Sequence, residues 1–182
     1  MKGIIFTSFI SFVEKEYGLA MVEQLLDATK PESGFVYTSV GNYDSQEIMQ
    51  CLSFLSQKLD CSISSLAKSF GTYLFSCLSH AHQKFISNYD DSMSCLYHLE
   101  TEIHKQVRKI YQKTSLPTFD VQLSNDKTNL NMLYISDRPL ADLAEGLILG
   151  CIKHYNNDYS VTRKDLPPKD GTHALFTIIR NS

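Results

Sequence analysis

The stretch Leu130–Tyr155, LNMLYISDRPLADLAEGLILGCIKHY, decides how the chain is read. It opens like a strand, turns at Asp137-Arg138-Pro139 and closes with the spacing of a buried helix. Tyr134, Ser136 and Arg138 stand at every second position, which puts a phenol, a hydroxyl and a guanidinium on one strand face over about 13 Å. All three donate hydrogen bonds and one is a permanent cation. Such a row suits an anion with several acceptor oxygens, because Arg forks onto a carboxylate while the hydroxyls give single bonds. A polar outer strand face is the commoner origin of three such residues, so the triplet alone is a weak motif.

Working outward, FDVQLSND and NLNMLYIS read as a strand pair around the Asn125–Asn129 turn. A helix from about Leu140 to Tyr155 follows. The tail, YSVTRKDLPPKDGTHALFTIIR, reads as two further strands joined by a Pro-Pro and Asp-Gly loop. Upstream the periodicity is helical throughout. The first eighteen residues carry a stripe of Ile4, Ile5, Phe9, Phe12 and Val13 and stop at Gly18, a natural left-handed cap. LAMVEQLLDATK makes a second helix. Asp44 and Glu47, with capping-box spacing, open a third along Ile48, Leu52, Leu55 and Leu59. Ser62–Leu78 is strongly apolar with Gly71 inside it, a residue that fits either a flat bulky neighbour or, more commonly, close helix packing. A long helix is expected over Ser92–Tyr111, broken after it by Pro117. The pattern predicts an α+β fold: a helical N-terminal subdomain, about residues 1–60, then residues 61–182 with helices and a four-stranded antiparallel sheet.

Bulk properties narrow the function classes. The 182 residues suffice for one domain or two small subdomains sharing a core. With 17 Lys and Arg against 20 Asp and Glu, a formal charge of -3 argues against nucleic acid or an anionic membrane as partner. Apolar runs are too short to span a bilayer, and MKGIIFTSFISFVEKEYG acquires charges with no small-residue cleavage site. Five scattered cysteines without a CxxC pair suggest reduced thiols and a cytoplasmic setting.

Catalytic patterns are missing: no Gly-rich phosphate loop, no G-x-S-x-G elbow and no H-E-x-x-H. The chain does not read as an enzyme. His104 lies about 100° round from Ile103, at the edge of the stripe Leu96, Leu99, Ile103, Val107 and Ile110. A histidine there is more often solvated or core-edge than a metal ligand. Cys151 and His154 hold half a metal-site spacing that nothing completes.

Taken together, MKGIIF, FVEKEYG, SFGTYLF, DDSMSCLYHLETEIHKQVRKIY, LPTF, LYISDR and GLILG resemble the haem nitric oxide/oxygen-binding (H-NOX) family, related to the haem domain of soluble guanylate cyclase. A helix histidine, a following Pro and Tyr-x-Ser-x-Arg are specific in combination, and the resemblance runs the full length. It implies one haem b per chain, held between the two subdomains. His104 matches the family's proximal histidine, and Tyr134, Ser136 and Arg138 match its propionate-binding motif. Pro117 matches the proline that presses on the macrocycle.

The resemblance also bears on which gas binds. Oxygen-binding members carry a distal tyrosine where Leu143 stands here. The aligned positions Leu74 and Phe9, with Ile5 and Leu147 nearby, are apolar as well. A dry pocket without a donor favours nitric oxide and CO and gives no stable oxygen complex; Tyr73 is the nearest polar neighbour. Some relatives hold zinc in a His/Cys cluster, but Ala141 replaces its cysteine here, so no zinc is expected. The family implies a separate signalling partner, such as a histidine kinase or a cyclic-di-GMP enzyme. The rival readings are a non-haem protein-interaction domain that retains the fold, and a haem enzyme, which would want distal acid–base groups.

Overall fold

Helical periodicity rules the first half of the chain. The computed structural model describes residues 1–110 and 115–181 and builds that half from α1 (Gly3–Tyr17), α2 (Leu19–Thr29), α3 (Ser45–Leu59) and α4 (Ile63–Ala81). α1 buries Phe6, Phe9, Phe12 and Val13. Gly18 ends it at φ 82° and ψ 164°, a positive-φ conformation that favours glycine but lies outside the left-handed helical region expected of a cap, and feeds the chain straight into α2. Asp44 caps α3 by accepting from the Gln46 N–H. The expected capping box is not closed, because the Glu47 carboxylate instead accepts from the Ser33 and Tyr37 hydroxyls at 2.7 and 2.6 Å. Two strong donors from the preceding loop outcompete one backbone amide.

The short α5 (Gln83–Ile86) leads to α6 (Ser92–Tyr97), which Asp91 caps by accepting from the Ser94 N–H. The single helix expected to Tyr111 is interrupted here. His98 leaves the helical region (φ -90°, ψ 5°), Leu99–His104 forms a π-helical segment, and α7 (Lys105–Ile110) resumes; Tyr111 lies outside the described residues. The Ile103 amide reaches back five residues to the His98 carbonyl, at 3.3 Å. Each π turn takes in an extra residue, so faces counted from Leu96 at α-helical spacing no longer hold beyond Leu99.

Strands β1 (Thr118–Leu123) and β2 (Asn129–Ile135) come next, then α8 (Ala141–His154), β3 (Tyr159–Asp165) and β4 (His173–Arg180). The four strands form an antiparallel sheet in the order β1-β2-β4-β3, with Tyr134 paired to Phe119 on one side and Ala174 on the other. The α+β class follows from this arrangement.

Two apolar cores result. One gathers α1 to α4; the other lies on the sheet and takes in α6. α8 serves both, with Leu140, Leu143 and Leu147 toward the first and Ala141, Ala144, Ile148, Cys151 and Ile152 toward the second. α4 gives Leu66, Phe70 and Leu74 to the first core. α4 and α8 cross at Gly71 and Gly146. A Cβ on Gly71 would fall 2.5 Å from the Leu143 carbonyl oxygen, so close helix packing accounts for this glycine. Arg163 of β3 bonds Asp142 and Glu145 of α8 at 2.6 and 3.2 Å, and Lys68 of α4 reaches Glu145 at 2.9 Å, tying sheet and helices together. Among the described residues no helix is long and apolar enough to cross a membrane.

Candidate functional site

A cavity of about 270 Å³ lies where the two cores meet. Ile5, Leu74, Leu143 and Leu147 line it from α1, α4 and α8, and Leu99, Ile103, Leu116, Pro117 and Phe119 line it from the π segment and the start of β1. Its polar lining includes His104 and the trio Tyr134, Ser136 and Arg138, with Gln106 and His82 further round. The chain thus brings the His104 imidazole and the donors of Tyr134, Ser136 and Arg138 to a mostly greasy space, the usual composition of a small-molecule site.

The last residue of the π segment is His104, whose side chain is only 13% exposed. Its Nδ1 sits 2.9 Å from Glu100 Oε2. The other oxygen, Oε1, takes Arg108 Nη1 at 2.7 Å, and Oε2 also accepts the Phe119 N–H at 3.3 Å. Burial pushes the Glu100 carboxyl up, but the bonds from Arg108 and His104 outweigh it and hold it below its usual range. Burial likewise lowers His104, against the pull of Glu100, while the Pro117 carbonyl also faces the ring. The contact is thus a hydrogen bond from a neutral imidazole to a carboxylate, not an ion pair at neutral pH. A carboxylate only accepts, so Nδ1 carries the proton and Nε2 keeps its lone pair.

At the end of β2, Tyr134 is buried, and burial pushes its phenol up. Its hydroxyl lies 3.5 Å from the Arg138 carbonyl, with Ser136 and the Leu140 backbone also acting on it. Ser136 and Arg138 lie just past the strand, not on its face as the alternation predicted. There the chain bends, and the Arg138 N–H donates to Ser136 Oγ at 3.0 Å. The Ser136 and Ala141 amides bond the Thr172 and Gly171 carbonyls at 2.9 and 3.1 Å, which anchors the turn. Arg138 donates to the Ser115 carbonyl at 3.3 Å and stands 3.9 Å from Asp137, a loose hold on a guanidinium.

Phe9, read from the sequence as a pocket residue, is not in the lining; it packs edge-on against Phe70 at 5.0 Å in the N-terminal core. Apolar residues serve core and pocket alike, so sequence could not separate the two roles. Tyr73 packs on Phe12 and under the Lys15 ammonium, and its ring does not line the cavity. Leu99 and Ile103 do, although their spacing alone suggested only a helix-face role; their signal was the stripe at whose edge His104 lies. Glu100 stands four residues before His104, a helical spacing that makes the two neighbours, while its bonds to Arg108 and Phe119 carry no signal in the sequence.

Which cofactor fits can be argued from this donor set. Among the described residues no three His, Cys, Asp or Glu side chains gather to hold a metal ion. With no such cluster around it, His104 suits a metal that brings its other ligands with it. A flat apolar macrocycle with carboxylates at one edge would use the greasy walls, the Tyr134 hydroxyl and the loosely held Arg138, which is the ligand demand of haem.

The Haem-NO-binding family model matches residues 2–163. Among solved structures, the unliganded Fe(II) H-NOX protein of K. algicida is 35% identical, covering 100% of this chain and 97% of its own, with a TM-score of 0.92. An H-NOX protein from S. oneidensis in its Fe(II)NO state is 28% identical, with full coverage of both chains and a TM-score of 0.91. The IWP-051-bound H-NOX from Shewanella woodyi in its Fe(II)CO state is 32% identical, covering 100% and 95%, with a TM-score of 0.83. No curated protein matches.

Proposed function

The chain belongs to the Haem-NO-binding family, and from that premise we propose that it is a nitric oxide sensor that also takes CO, forms no stable oxygen complex and reports to a separate protein. As a family member it is a haem-based gas-sensing domain rather than an enzyme. One observation carries the finer reading: Ile5, Leu74, Leu143 and Leu147, which α1, α4 and α8 bring to the cavity, are apolar, and the hydroxyl of Ser79, also in the lining from α4, is spent on the Ser76 carbonyl at 3.0 Å. Bound oxygen is polarised and gains from a donor; nitric oxide binds ferrous haem strongly without one.

In this reading the group is haem b, which supplies an iron with one open position for a gas. His104 would hold the iron through Nε2, since Nδ1 is engaged with Glu100 at 2.9 Å. Arg138, Tyr134 and Ser136 bind the two propionates by charge-assisted bonds. Pro117 stands beside the ring of His104 and sets how flat the macrocycle can lie. The element placed to move is the π segment, which buries none of its own residues yet holds His104 and is tied to β1 through Glu100. A change in the hold on His104 would alter that tie and shift the balance between two conformations that a partner distinguishes. A histidine kinase or a cyclic-di-GMP enzyme is the partner class proposed, in the cytoplasm, where the five unpaired cysteines suit a reducing medium. No zinc enters the reading, since Ala141 stands at the start of α8 where a cysteine ligand would be needed.

The test is an absorption spectrum of the reduced, haem-loaded protein under argon, air, CO and nitric oxide. The expected result is a single-histidine ferrous spectrum unmoved by air and shifted by CO and nitric oxide. A stable oxygen complex would overturn the selectivity. A protein that takes up no haem would favour a protein-interaction domain that keeps the fold. Candidate kinases whose activity ignores nitric oxide in the presence of the protein would overturn the proposed partnership.

A further inference from the structure

We infer that Glu100 is a positioning residue for the ligand imidazole: its carboxylate sets the tautomer of His104 and makes Nε2 a stronger donor, while Arg108 draws charge off the same carboxylate and holds that strength down. The inference rests on the haem reading above and adds the regulation of its proximal bond. Three contacts carry it, Nδ1 of His104 at 2.9 Å on Oε2, Arg108 Nη1 at 2.7 Å on Oε1, and the Phe119 N–H at 3.3 Å on Oε2. The carboxylate is 23% exposed and the imidazole 13%, so water screens this pair less than a surface pair.

The chemistry follows from the direction of the bond. A carboxylate accepting from Nδ1–H pulls that proton and leaves more electron density on the opposite nitrogen. A second, cationic donor on the same carboxylate spends part of its charge elsewhere, so the share that reaches His104 depends on Arg108. Arg108 sits on α7 and Glu100 and His104 on the π segment. Any rearrangement between these two elements would thus change the donor strength of Nε2 without moving a ligand. The carbonyl of Pro117 also faces the ring but is neutral, and can direct the imidazole without adding charge.

A purely structural Glu100 would only tie the π segment to β1, and Glu100→Gln can keep that tie because its amide oxygen still accepts from Phe119. The discriminating readout is the iron–imidazole stretching band in the resonance Raman spectrum of the reduced, haem-loaded protein. Glu100→Gln should move the band to lower frequency, Glu100→Asp should restore part of the shift, and Arg108→Gln should move it higher. Opposite signs for the two substitutions are the signature. A folded, coloured Glu100→Gln protein whose band coincides with the parent's would overturn the inference, as would shifts of the same sign for both variants. A colourless parent would instead defeat the haem reading, and this inference with it.

Discussion

The two walls of the cavity are built on different principles. On one side α1, α4 and α8 are regular helices locked by buried apolar contacts, with Leu74 1% and Leu143 7% exposed and α4 set against α8 at Gly71 and Gly146. On the other, α6 gives way to a π segment and a short α7, neither of which buries a single residue, and a charged hydrogen-bond cluster at Glu100 stands in for packing. Close packing leaves a side chain few alternatives, so the first wall is a fixed shape. Hydrogen-bonded ions have several arrangements of similar energy, and segments with little buried surface open most readily. The first wall is suited to choosing a ligand and the second to responding to it.

The contrast can be broken most severely at His104. His104→Ala should lose haem on gel filtration, by more than the roughly 10–100-fold that an outer-shell partner costs a metal site. Leu143→Gly or a similar change on the opposite wall should retain the cofactor, and equal losses would erase the distinction. Gly71→Ala comes next. Its methyl would meet the Leu143 carbonyl, so urea denaturation should show about 1–3 kcal/mol of lost stability from forcing α4 off α8. No loss would mean that this wall yields as easily as the other.

Leu143→Tyr sharpens the comparison by placing a donor on the fixed wall. One net hydrogen bond of about 1.4 kcal/mol corresponds to roughly tenfold slower oxygen release, visible as a persisting complex in air. Acid should act on the other wall, and more gently. His104 lies below its ordinary value of 6.5, so the unfolded chain takes up that proton first and stability falls as pH drops from 6.5 toward the folded value. Glu100 also lies below its ordinary value of 4.5; its contribution is present above that and lost as pH falls through the lower folded value. Thermal midpoints of the haem-free protein should decline through both windows, and Glu100→Gln should flatten the lower one.

The fixed wall and the sheet were largely legible in the sequence, because apolar repeats at helical and alternating spacing are themselves the packing instruction. β1 to β4 fall where the turn residues delimit them, and Gly71 meets a neighbouring helix as its cost in a helix interior suggested. The responsive wall was much less so. Leu96, Leu99, Ile103 and Val107 suit an α-helix as well as a helix widened by one π segment, and only the hydrogen bond from Ile103 to His98 separates the two. At Asp44 and Glu47 the local motif was sound, yet the Ser33 and Tyr37 hydroxyls of the preceding loop took the carboxylate. Tyr134, Ser136 and Arg138 do converge on the cavity, but by a bend after β2 rather than along one face.

Leu143 and Ala144 are neighbours in the chain and belong to different cores. α8 is therefore a party wall, with each half of the molecule plastered onto one side of it. Neither half can come apart without stripping the surface that the other leans on, so heat should unfold the two in a single cooperative transition. Whatever settles in the space between them is felt on both sides of that partition at once.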